Sequence, residues 1–108
     1  MGLYRNHWES LGVIEIPTNV GKLIYCQKGE RPRAALFFSR RVVFHPLHEF
    51  ITIDLVSAIV DIPISGGSRK VVVASAYFAH DKNVAPNEFV KLVKYCKSKN
   101  LQLLISIK

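Results

Sequence analysis

Acid is scarce in this 108-residue chain: eight Asp and Glu stand against fifteen Lys and Arg, a formal charge of +7. That shortage favours polyanionic partners, nucleic acid first and anionic lipid second, although surplus Lys also keeps a β-rich protein soluble. Cysteine is equally sparse. Cys26 and Cys96 lie far apart and in no paired motif, so they read as ordinary buried thiols of a reducing compartment rather than a disulfide framework. Long apolar runs are missing, and no segment reaches the roughly 18 residues that a membrane span needs. The start, MGLYRNHWESLG, lacks the apolar stretch of a secretory signal, and position 6 of its Met-Gly opening is Asn6, not the Ser or Thr of a myristoylation site. An intracellular chain, nuclear or cytoplasmic, is expected.

Hydrophobic residues, at 49%, argue against wholesale disorder. A chain of this length forms one small domain and buries roughly 60–68% of its unfolded surface. Residues 1–10 show no period and remain an unplaced N-terminal segment; the domain is expected over 11–108. Short apolar runs predict strands at Leu11–Ile16, Gly21–Gln27, Ala34–Phe38 and Val42–Phe44, with a charged turn at Lys28–Arg33 broken by Gly29 and Pro32. Phe50–Ile62 predicts the longest strand, and its imperfect alternation fits a bulge or burial on both faces. Ile64–Ser68 predicts a hairpin connection longer than two residues, returning as a strand over Arg69–Tyr77.

Phe89, Leu92, Val93 and Cys96 fall at i, i+3, i+4 and i+7 and predict a helix. Pro86 suits its first turn, Glu88 its positive end, and Asn100 a left-handed stop. Leu101–Ile107 predicts a strand parallel to 70–77, reached through the helix crossover. It is apolar at nearly every position, as a central parallel strand would be, yet Lys108 follows at once.

From Gly21 to Ile105 the chain resembles the endonuclease domain of arthropod-type non-LTR retrotransposons, within the endonuclease/exonuclease/phosphatase superfamily. The residues concerned are Arg31-Pro32-Arg33-Ala34, Ile53-Asp54-Leu55-Val56, Val72-Val73-Ala74-Ser75-Ala76-Tyr77-Phe78 with His80-Asp81, Pro86-Asn87-Glu88-Phe89, and Asn100-Leu101-Gln102-Leu103-Leu104-Ile105. The resemblance implies an α+β fold, a partial four-layer α/β sandwich truncated at both ends. It also implies Mg²⁺-assisted phosphodiester hydrolysis of DNA, in a domain normally fused to a reverse transcriptase. In that chemistry a Glu holds the metal, a Tyr bonds the scissile phosphate, and further Asp, Asn and His groups orient water and phosphate.

Tyr77 stands at the phosphate-binding position of the family. His80 and Asp81 follow it as substrate-contacting candidates or as a plain polar loop; the family usually has Pro where Ala79 sits. Arg40 and Arg41 are candidate phosphate contacts. The metal Glu belongs in a Gln-Glu-Pro context, and the nearest match here is Glu15-Ile16-Pro17. If Pro17 fixes the register, Ile16 takes the carboxylate position, since a one-residue slip turns a strand side chain to the other face. Glu15 is then a displaced metal ligand or a solvent-facing acid. Lys108 falls where the family has the Asp of its Asp-x-Asn motif.

These departures predict an endonuclease relic that does not cut and holds no Mg²⁺ productively. Non-specific DNA is the expected partner, and uncovered sheet edges predict self-association. The competing readings are a basic nucleic-acid-binding relic and an unstable product without function.

Overall fold

The computed structural model describes residues 12–29, 31–78 and 87–107. The sequence readings for residues 1–10, His80, Asp81, Pro86 and Lys108 therefore lie outside the described residues. In chain order the elements are β1 (Val13–Pro17), β2 (Gly21–Cys26), β3 (Ala35–Ser39), β4 (Val43–Pro46), a 3-10 helix (His48–Phe50), β5 (Leu55–Ile64), β6 (Gly67–Ala76), α1 (Asn87–Ser98) and β7 (Gln102–Ile107).

Two sheets result. β1, β2 and β3 form an antiparallel meander; β4, β5, β6 and β7 form a second sheet in that order, antiparallel except for the β6–β7 pair. The domain is thus a mixed α+β arrangement made mostly of strands. Its centre is the β5–β6 hairpin, paired from Leu55↔Ala76 to Ile64↔Gly67. Val56 and Ala58 face the first sheet and meet Val13, Ile24, Cys26 and Phe38. On the opposite face Leu55, Val72, Ala74 and Ala76 meet Leu92 and Cys96 of α1. Burial on both faces explains why the apolar alternation of β5 is imperfect.

The hairpin turn is tighter than the sequence predicts. Ser65 and Gly66 alone connect the strands, with Gly66 at φ +87°, a left-handed value that glycine adopts without a Cβ clash. Residues 50–54 are not strand. Phe50 closes the 3-10 helix, and the Thr52 hydroxyl accepts a hydrogen bond from the Asp54 N–H at 3.2 Å. Such a local side-chain bond offers the backbone an alternative to the sheet ladder.

The helix packs through Leu92 and Cys96, with Phe89 and Tyr95 beside them; Tyr95 lies tilted against Phe50, ring centroids 5.2 Å apart. It stops at Asn100, φ +56°. The Leu101 N–H donates to the Cys96 carbonyl at 2.8 Å, the six-to-one bond of a helix ended by a left-handed residue. The parallel strand that follows is not central. β7 is the last strand of its sheet, and its Leu104 and Ile107 are 52% and 56% exposed.

Leu92 is fully buried, so Leu92→Ala should cost about 2–5 kcal/mol, read as a lowered urea midpoint. Ser57 is also fully buried, and its hydroxyl has no partner among the described residues. Ser57→Ala should therefore raise stability by about 1 kcal/mol in the same assay, because it removes an unsatisfied polar group.

Candidate phosphate-contacting rim

Three segments far apart in sequence meet at one end of the sandwich. Tyr77 leaves the carboxyl end of β6, and its N–H donates to the Asp54 carbonyl at 2.8 Å. Arg33 leads into β3; its N–H and that of Ala34 donate to the Ile53 carbonyl at 3.0 and 3.1 Å. The Arg33 guanidinium donates to both carboxylate oxygens of Asp54 and lies over the Tyr77 ring, 5.6 Å from its centroid. Fork-to-fork pairing fixes the guanidinium plane as well as its position. Asp54 is placed in turn by the Thr52 hydroxyl bond to its N–H. A phenol beside a fixed guanidinium, at the carboxyl end of a strand, can bond an anionic oxygen.

The other candidates stand elsewhere. Glu15 pairs with Ile24 across β1 and β2, so it points inward toward the second sheet, while Ile16 faces out and is 39% exposed. The solvent-facing reading of Glu15 is therefore corrected: it is half-buried on the inner face. Lys22 Nζ donates to its Oε1 at 3.3 Å, and His48 Nε2 lies 3.8 Å from its Oε2. Arg40 and Arg41 follow the far end of β3, seven and eight residues beyond Arg33, which is roughly 20–25 Å of extended chain. Arg40 Nη1 donates to the Asn19 carbonyl at 2.8 Å. Tyr77, Glu15 and the Arg40–Arg41 pair thus do not form one site. His80 and Asp81 lie outside the described residues.

A magnesium site needs several oxygen ligands. Among the described residues no three His, Cys, Asp or Glu side chains group to hold a metal. Asp54 is engaged by Arg33, and Glu15 lies between Lys22 and His48. These carboxylates do not fit a shared Mg²⁺.

Two groupings went unnoticed in the sequence. Arg33 and Asp54 both belong to the segments that carry the family resemblance, yet nothing in their spacing announces that they touch. The second grouping is on the helix side of the second sheet, where Asp61 accepts a hydrogen bond from Lys70 Nζ at 2.7 Å and lies 3.6 Å from His45 Nε2. The Lys70 bond, aided by the Lys70 charge and the nearby His45, holds the Asp61 carboxyl below its ordinary range. Burial pushes the Cys26 and Cys96 thiols up, which keeps them protonated and unreactive.

Comparison with known proteins brings no match to a family model, a curated protein or a solved structure. Among the described residues no helix is long and apolar enough to cross a membrane.

The His48 imidazole is held below its ordinary value of 6.5, chiefly by burial, with Glu15 opposing. The unfolded chain therefore binds this proton more readily than the folded one. Its contribution to stability is complete above the ordinary imidazole range and is lost as pH falls through it. Melting temperature should drop between about pH 7 and 5, and His48→Gln should flatten that limb. The loss of stability at more acid pH, as pH falls below the ordinary carboxylate range and Asp61 takes up its proton, should persist in this variant.

Proposed function

We propose that the chain is a non-cutting relative of the non-LTR retrotransposon endonuclease domain, a basic module that holds DNA phosphate without hydrolysing it. The observation that carries the reading is the Arg33–Asp54–Tyr77 cluster. It sets a phenol and a fixed guanidinium at the carboxyl end of β6, and Tyr77 is the residue at the phosphate-binding position of the resemblance. A sheet packed on a sheet, with a helix on the outer face of the second, supports the finer fold reading, a partial four-layer α/β sandwich. A nuclear or cytoplasmic location belongs to the same proposal.

Hydrolysis needs a metal held by carboxylate oxygen and a positioned water. Glu15 is engaged with Lys22, and Lys108 stands where the resemblance calls for Asp. Losing one transition-state donor costs roughly 10²–10³ in rate, and here the metal carboxylate is engaged and the orienting acid is replaced by Lys108.

Supercoiled plasmid incubated with the protein and Mg²⁺ should stay intact. Duplex DNA should bind weakly and without sequence preference, and affinity should fall steeply with salt. Arg33→Ala should lower the slope of log affinity against log salt by about 0.9, the loss of one phosphate contact. Metal-dependent nicking that disappears on chelation and weakens in Tyr77→Phe would overturn the reading. So would the absence of duplex binding at low salt.

Self-association is the second part of the proposal. β7 carries no charge and no proline to blunt its outer edge, which is unpaired among the described residues, and it exposes Leu104, Ile105 and Ile107. Sedimentation should show oligomers that grow with concentration. Leu104→Lys should shift the population toward monomer. A wild-type chain that stays monomeric across the concentration range would remove this part.

A further inference from the structure

The first sheet has a second face. Its inner positions, Val13, Ile24, Cys26 and Phe38, fill the core. The alternate positions point away from the second sheet: Ile14 and Ile16 on β1, Leu23 and Tyr25 on β2, Ala35, Phe37 and Ser39 on β3. None is acidic. Phe37 is 51% exposed. A Cβ placed on Gly21 would lie 2.6 Å from Phe37 Cζ and 3.0 Å from its Cε2, so this ring rests down across the glycine with its opposite side open. Tyr25 is the diagonal neighbour, because Leu23 pairs with Phe37 and Tyr25 with Ala35. It borders an open groove of about 740 Å³ lined also by Gln27, Gly29, Arg31 and Pro32.

Cations flank this face at both ends. Arg31 and Arg33 lie beside Tyr25 and Ala35; Arg40 and Arg41 lie beside Val20 and Ser39. Arg31 and Arg41 are exposed and have no side-chain partner among the described residues. The surface therefore combines two aromatic rings on one sheet face, the outer one seated on a glycine, with an acid-free floor and positive charge at each end of β3.

We propose that the outer face of the first sheet is a binding platform for single-stranded nucleic acid. Bases stack on Phe37 and Tyr25, and the backbone phosphates run between Arg31 at one end and Arg41 at the other. The span, at most about 33 Å of extended chain, suits a segment of at least about four nucleotides. Stacking asks only for an open π-face, so the platform takes bases without reading their sequence. Duplex is excluded from it because paired bases have no free faces. This surface differs from the Tyr77 rim, although Arg33 borders both and the class of ligand is the same.

The test is fluorescence anisotropy of labelled oligothymidylate over a salt series, beside a duplex of equal length and unlabelled inorganic polyphosphate as competitor. Phe37→Ala and Phe37→Leu should each weaken oligothymidylate binding about fivefold or more, while Phe37→Trp retains it. Leucine keeps the apolar contact and loses the π-face, so a merely structural role for Phe37 would survive that change. Phe37→Leu and Phe37→Trp are compared at matched melting temperature, which separates binding from folding. Arg41→Ala and Arg31→Ala should each lower the single-strand salt slope by about 0.7. Duplex binding should be unchanged in the Phe37 variants.

Binding of oligothymidylate by Phe37→Leu at the wild-type level would overturn the platform and leave the Tyr77 reading standing. Displacement of oligothymidylate by polyphosphate at matched phosphate would also overturn it, since charge alone would then account for the affinity. Tighter binding of an acidic amphipathic peptide, lost in Phe37→Ala, would overturn it in favour of a protein partner. Loss of duplex binding in Arg33→Ala with intact oligothymidylate binding would support two separate surfaces. No binding of either nucleic acid at low salt would overturn both readings.

Discussion

Both cores depend on the β5–β6 hairpin. Each of its strands has ten residues, and their register sends Val56, Ala58 and Val60 to one side and Leu55 and Ile59 to the other. The first sheet closes over one set and α1 over the other. A one-residue slip between the strands would exchange the two sets at once, so both apolar faces enforce the same register. Gly66 permits the tight return, and the pairing then propagates outward to β4 and β7.

Charge is placed around this frame in separate groups rather than in one cleft. Arg33 and Asp54 close one end of the sandwich beside Tyr77. Glu15, Lys22 and His48 line the inner side of the first sheet, and Asp61, Lys70 and His45 lie beyond the helix on the second. In each described group a carboxylate is matched by cations, so the unmatched positive charge resides in exposed side chains such as Arg31 and Arg41. The chemistry this supports is recognition of anions, not the concentration of carboxylates that a divalent metal requires.

Much of the fold was legible in local pattern. The helix showed in the spacing of Phe89, Leu92 and Cys96, its stop in Asn100, and the parallel β7 in an apolar run after a helix. Residues 50–54 were misread because Phe50, Ile51 and Ile53 look like strand, while turns closed by backbone bonds, the Thr52–Leu55 pair among them, and the Thr52 hydroxyl set their conformation. The side on which Glu15 faces was equally hidden. Pro17 suggested one register, and the ladder of β1 with β2 set the other.

Sequence alone determined the types of element, because side-chain period and turn residues act over a few neighbouring positions. It also determined the positive balance of the chain and the position of Tyr77 at a strand end. Tertiary structure alone decided which charges are matched and which are free. Arg33 and Asp54 lie 21 residues apart, and Arg33 and Arg41 lie only eight apart yet stand at opposite ends of one extended strand. Through-space distance, which a strand stretches and a turn collapses, sets an electrostatic partner, and separation along the chain does not reveal it.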